Sequence, residues 1–188
     1  SGVALEFVTE RFEDTAVGRF ILSARAFSAE IEREAILERT TRGKVARARA
    51  GKLPQATGKG CYGYRYVTES GTRELNSEQA TIVSRVFSEF VAGASIVGIA
   101  NSLNCEGVAS YSGGPWYPAT IYKILRNETY TGRTVYRRTR ARRAFDVKKQ
   151  RSKRVVEVRE EEEWIEIPGA SPRILEPVVF LAAQQRLD

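Results

Sequence analysis

No proline interrupts the chain before Pro54, and Val17, Phe20, Ala24, Phe27, Ile31 and Ala35 recur at three- and four-residue steps. That spacing predicts a helix with one apolar stripe from about residue 15 to about residue 50, roughly 50 Å long. Asp14 or Thr15 is placed to cap it. Its charge changes along its length. The early turns mix signs, as in "AEIERE", but from Arg39 to Thr68 there is no Asp or Glu. Arg39, Arg42, Lys44, Arg47, Arg49, Lys52, Lys59 and Arg65 all fall in that stretch. So long a helix, apolar on its first part and cationic on its last, cannot close a core by itself. The preceding segment "GVALEFVTE" reads as a short strand, too small to cover the stripe.

The 188 residues suffice for one domain with an appendage, and 42% hydrophobic residues can build a core. A net charge of +7 and a pI near 9.6 favour a nucleic-acid partner. No run of 18 apolar residues exists and no basic helix carries a bulky apolar face opposite its cations, so no membrane role is expected. With no His and only Cys61 and Cys105, neither a metal site nor any cofactor is expected. Free thiols and a basic chain fit a cytoplasmic location.

Gly51, Pro54, Gly58, Gly60 and Gly63 break regular structure after the long helix. "YRYVTESGTREL" reads as a hairpin turning at Ser70-Gly71. "NSEQATIVSRVFSEFVAG" carries a capping pattern, Asn76 with Gln79, and an apolar face of Ile82, Val83, Val86, Phe87 and Phe90. Ser95 caps a second helix ending near Gly107. A third starts at Pro118, spans residues 118–127 and turns Ile121, Ile124 and Leu125 inward. These three suggest a helix-turn-helix unit expanded by "CEGVASYSGGP". "TGRTVYRRTRARRAF" alternates as one strand, "KKQRSKR" reads as a turn and "VVEVREEEEWIEI" as the return. A last helix covers Glu176 to Leu187 with Val179, Phe180, Ala183 and Leu187 inward. The expected fold is α+β and mainly helical: a long N-terminal helix, then a helix-turn-helix-like domain with a β-hairpin arm.

A thin rod that is cationic all round suits a groove walled by phosphates, with the Gly-rich tail entering the minor groove. The bland alternative is a solvated helix end whose cations answer the macrodipole. On the third helix, Thr120, Lys123, Arg126 and Asn127 form a face able to read major-groove edges. Tyr117, Tyr122 and Trp116 read equally as packing. Arg137, Arg138 and Arg140 of the arm fit phosphate contacts, and Tyr62, at the linker exit, is a further candidate DNA contact. Glu160–Glu163 is either solvated or a screen over the arm.

The segments "AEIEREAILERTTRGKVARARAG", "GKGCYGY", "LNCEGV", Trp116 and "IYKILRNETYTG", in that order, resemble the large serine recombinases, or serine integrases. The resemblance implies that residues 1–51 are the end of a resolvase-type catalytic domain, 52–60 a linker and 61–188 a recombinase domain. It implies site-specific recombination of double-stranded DNA through a phosphoserine link, with self-association through the long helix, dimer to tetramer in the parent protein. Phe20, Phe27, Ile31 and Glu38 match subunit contacts, and Arg39 a position near the scissile phosphate. The nucleophile would lie before Ser1; Ser23 and Ser28 match no catalytic position. For Glu38 and Arg39, i,i+4 surface pairing is the competing explanation. Two other classes compete for the whole chain. A helix-turn-helix transcription regulator with a dimerising helix does not explain the cationic helix end. A coiled-coil adaptor needs heptads that stop where the cations begin.

Overall fold

A computed structural model of the chain describes residues 15–54, 61–146 and 150–188. In order these form α1 (Ala16–Arg49), β1 (Tyr64–Val67), β2 (Thr72–Leu75), α2 (Ser77–Val91), α3 (Ile96–Cys105) and α4 (Pro118–Leu125). Then come β3 (Val135–Tyr136), β4 (Thr139–Asp146), β5 (Arg151–Val158), β6 (Ile165–Glu166) and α5 (Pro177–Leu187). The mixed, helix-rich fold with a long first helix is as expected. Two compact units are present, one ending at Lys44 and one spanning Val45–Asp188.

In the first unit, α1 begins where Thr15 Oγ1 accepts the Gly18 amide at 3.1 Å. Its other candidate cap, Asp14, and the expected strand "GVALEFVTE" lie outside the described residues. Val17, Phe20, Phe27 and Ile31 are all more than half exposed.

The second unit is built around α2, α3, α4 and α5. Asn76 caps α2 by accepting the Gln79 amide at 3.1 Å. The reciprocal half of the capping box does not form. Gln79 Oε1 instead accepts the Gly63 amide at 3.0 Å, and the Asn76 amide donates to the Gly63 carbonyl at 3.0 Å. Those bonds dock the β1–β2 hairpin on α2. Gly63 has φ +92°, and a Cβ there would lie 3.0 Å from Ile174 Cδ1, which requires glycine. Ser95 caps α3 through the Gly98 amide at 3.0 Å. Asn104 then staples the long α3–α4 connection, its side chain accepting the Trp116 amide at 2.7 Å and donating to the Trp116 carbonyl at 2.9 Å. Val83, Val86, Phe87, Ile99, Leu103, Ile121, Leu125 and Tyr130 are fully buried together. Arg186 of α5 clamps the end of α2, donating to the carbonyls of Phe90, Gly93 and Ala94 with its guanidinium over the Phe90 ring.

The arm differs from the expected single strand and return. Arg137, at φ 64°, breaks the alternation, so β3 and β4 part company. β3 pairs antiparallel with β6, and β4 with β5. β5 begins at Arg151, so most of the expected turn "KKQRSKR" is strand; residues 147–149 lie outside the described residues. A 3₁₀ turn at Glu161–Glu163 separates β5 from β6. A second small core joins Ala48, Leu53, Ile167 and Ala170, with Tyr66, Tyr136 and Ile165 packed against it.

Candidate nucleic-acid interface

The last turn of α1 is not only a thin cationic rod. Ala48 is 1% exposed and Leu53 is buried with it, so both anchor the end of the helix. Arg47 lies beside them, its Nε donating to the Leu53 carbonyl at 2.9 Å and an Nη to the Tyr66 hydroxyl at 3.0 Å. The Leu53 amide reaches the Gly71 carbonyl at 2.7 Å. Gly71, at φ +70°, lets the hairpin approach: a Cβ there would lie 3.0 Å from Lys52 Cβ and 3.1 Å from the Arg47 guanidinium. Arg49 and Lys52 remain exposed, with no carboxylate partner among the described residues. In the first unit Arg39 and Lys44 are likewise exposed and unpaired among the described residues. Arg42 instead pairs with Glu38 at 2.7 Å, the surface i,i+4 contact. Lys59 lies outside the described residues. Arg65 pairs across the hairpin with Glu74 at 2.8 Å.

Tyr62 is a core side chain, 8% exposed, its ring edge-on to Trp116 and its hydroxyl donating to the Ala109 carbonyl. Trp116 is buried too, with its indole N–H on the Val108 carbonyl at 2.9 Å, so it packs. Tyr62, Thr120 and Lys123 nonetheless line one open pocket of about 200 Å³, with Cys61 at its wall. Burial pushes the Cys61 thiol up, against hydrogen bonds from Tyr130 and Asn127, so it is no ready nucleophile. Lys123 is exposed and Thr120 half-exposed on α4. The helix stops at Leu125, short of the expected 127. Asn127 caps the following 3₁₀ turn through the Thr129 amide at 3.1 Å, so it is not on the α4 face. Arg126, also expected on that face, is held by Asp188 at 2.6 Å and Gln184 at 3.3 Å.

The arm arginines come with partners that sequence order hides. Arg140 meets Glu157 at 3.2 Å, and Arg142 pairs with the same carboxylate. The Arg142 guanidinium beside it holds the Glu157 carboxyl below the usual carboxylate range. Arg138 reaches Glu128 at 3.4 Å and lies over the Trp164 ring, while Glu128 also takes Arg133 at 2.8 Å. Of the acidic run, Glu163 touches the arm, 3.5 Å from Arg137 and 2.8 Å from Arg159. Glu160, Glu161 and Glu162 are exposed. The cross-strand register was the missing signal, since it decides which arginines Glu157 can reach.

Among the described residues no cluster of three His, Cys, Asp or Glu side chains could hold a metal, and no helix is long and apolar enough to cross a membrane. The Recombinase family model matches residues 77–188, and a second model, Resolvase, N terminal domain, matches residues 1–53. A "Putative DNA recombinase" of Bacillus subtilis (strain 168) is 27% identical over 171 residues, covering 88% of this chain and 34% of its own length. The chain therefore spans about a third of that relative. Two solved structures share the fold. One, described as an LSR-DNA complex, has a TM-score of 0.51 at 18% identity, over 79% of this chain and 37% of that one. The other, from work on the Listeria innocua prophage attP site, has a TM-score of 0.53 at 17% identity, over 79% and 51%.

Proposed function

Because the chain belongs to the Recombinase family, we propose that it is the duplex-binding part of a serine recombinase acting in site-specific recombination. The observation that carries this reading is the end of α1. Arg49 and Lys52 stand exposed and without a carboxylate partner among the described residues, beside a turn that Ala48, Leu53 and Arg47 hold in place. Cations held on a rigid element form phosphate contacts at low conformational cost. Arg39, Arg42 and Lys44 continue the cationic run on the same helix, and the linker with Lys59 follows into the minor groove.

α2, α3 and α4 act as an expanded helix-turn-helix in this reading, with the Asn104–Trp116 staple holding the long connection. α4 lies in the major groove, where Thr120 and Lys123 reach base edges. Arg137, Arg138 and Arg140 supply phosphate contacts after exchanging a carboxylate for DNA. Phe20, Phe27 and Ile31, with Glu38, form the subunit contact, and residues 1–51, 52–60 and 61–188 serve as catalytic-domain end, linker and DNA-binding domain. Arg39 lies near the scissile phosphate. The described residues bind rather than cut: the Ser23 hydroxyl is donated to the Arg19 carbonyl within α1.

Salt titration of duplex binding tests the reading. Replacing Arg49 and Lys52 by Ala, and sparing the structural Arg47, flattens the log–log salt slope by about two units, roughly 0.9 for each lost phosphate contact. An unchanged slope takes the helix end off the DNA.

A further inference from the structure

The β4–β5 ribbon has two faces of different chemistry. Side chains alternate along each strand, and directly opposed residues share a face. The register puts Arg140 opposite Glu157 and Arg142 opposite Val155 on one face. Val155 and Glu157 are half-buried, and Glu157 neutralises both arginines. The other face holds Thr139 and Val158, Ala141 and Val156, Arg143 and Arg154, and Phe145 and Ser152 as opposed pairs. Phe145, Val156 and Val158 are 64%, 58% and 69% exposed, and Arg143 and Arg154 have no partner among the described residues.

This outer face works against the ribbon's own stability. Two arginines stand directly opposite each other, an arrangement that destabilises a strand pair. A two-stranded ribbon is marginal by itself, and here three large apolar side chains face water. An anionic partner that also offers apolar contact relieves both costs. A second copy of the chain does not fit, because an isologous contact brings the face onto itself and the face holds cations but no carboxylate. The major groove of duplex DNA fits: it admits a two-stranded ribbon, its walls are phosphates, and thymine methyls line its floor.

We propose that the outer face of the β4–β5 ribbon docks in the major groove of duplex DNA, with Arg143 and Arg154 on phosphates and Val156 and Val158 against the bases. This inference rests on the DNA-binding reading above, but it assigns residues on the opposite face from Arg140.

The test is anisotropy titration of the full chain on a random-sequence duplex of about 40 base pairs between about 50 and about 200 mM salt. The Arg143→Ala/Arg154→Ala double variant lowers the salt slope by about two units. Over that range it loses about tenfold less affinity than the wild type does. The Arg143→Lys/Arg154→Lys variant keeps the wild-type slope, since it keeps both charges. Thermal unfolding runs alongside: removing opposed cations leaves the alanine variant at least as stable as wild type, so a lost slope is not lost folding. Wild-type binding with an unaltered slope in the alanine variant overturns this inference alone and leaves an acidic protein as the face's partner. Absence of salt-dependent duplex binding by the wild type overturns the DNA-binding reading, and this inference with it.

Discussion

The helices α2 to α5 and the β4–β5 ribbon belong to one compact unit but are held together differently. In the helical bundle, apolar faces are buried and polar groups in the connections are bonded. Val83, Val86, Phe87 and Leu125 are inaccessible, and Trp116 has its amide, carbonyl and indole N–H all engaged. In the ribbon, valines face water and two arginines face each other. Every connection of the bundle therefore costs stability when cut, whereas the ribbon's outer residues contribute little to the fold and are available for contact. The difference separates residues that hold the domain from residues that the domain holds out.

The contrast breaks most easily through the core. Leu125→Ala leaves a cavity among Ile121, Phe87 and their neighbours and costs about 2–5 kcal/mol. Val158→Ala on the ribbon stays within about 0.5 kcal/mol. Urea unfolding of the two variants measures both, and equal losses would erase the distinction. A smaller effect sharpens it at the α2–α5 joint. Arg186→Ala removes the bonds to the Phe90, Gly93 and Ala94 carbonyls and lowers stability by about 1–2 kcal/mol. Arg186→Lys recovers only part, because an ammonium lacks the guanidinium fork. Arg142→Ala, which breaks an exposed ribbon pair, changes unfolding by less than about 0.5 kcal/mol.

The smallest effect is pH-dependent. Arg85 bridges Glu89 on α2 and Glu106 at the end of α3. The Arg85 guanidinium, helped by the Ser102 hydroxyl, holds the Glu106 carboxyl down from 4.5 to about 2. A depressed carboxylate contributes stability that is present above its unfolded value and is lost as pH falls through the folded one. Wild type therefore loses this contribution between pH 4.5 and about 2. Glu106→Gln lowers the urea midpoint at pH 6, and its gap from wild type closes as the pH falls through that window. Glu157→Gln, its ribbon counterpart, shifts the midpoint in the same sense, because Arg142 and Arg140 hold the Glu157 carboxyl down as well.

Elements governed by local chemistry were legible in the sequence. Thr15, Asn76 and Ser95 mark helix starts because a short polar side chain before an apolar period has one good use. Pro118 marks another because its missing N–H costs nothing there. What depends on remote partners was not legible. Gln79 looks like half of a capping box, but Gly63 offers its side chain a backbone amide. Tyr62 resembles a linker aromatic and becomes core once Trp116 folds onto it. Ala48 is a small residue between cations in the sequence, and only Ile167 and Ala170, more than a hundred residues later, make it an anchor. Arg137 carries no sign of its left-handed backbone, so one strand was expected where β3 and β4 diverge. The candidate site divides in the same way: the cations of α1 and α4 could be read from order alone. Which arm arginines are neutralised depends on a cross-strand register that the sequence does not state.

Tyr64 has a consequence for the order in which the unit forms. Its ring stacks on Tyr130, and its hydroxyl donates to the Pro172 carbonyl at 2.7 Å, with the Thr129 carbonyl at 3.3 Å. Pro172 is 108 residues further along the chain. The α2–α3 and α3–α4 contacts form between near neighbours and close fast, while a bond of that span waits on a long loop closure. On the ribosome, the β1–β2 hairpin emerges among the first parts of the unit and docks on α2 early, while its Tyr64 hydroxyl is fastened among the last. Until residues 172–175 arrive, Tyr64 and Tyr130 present two aromatic faces to solvent. The vulnerable interval in this protein's synthesis is thus set by one phenol and its distant carbonyl.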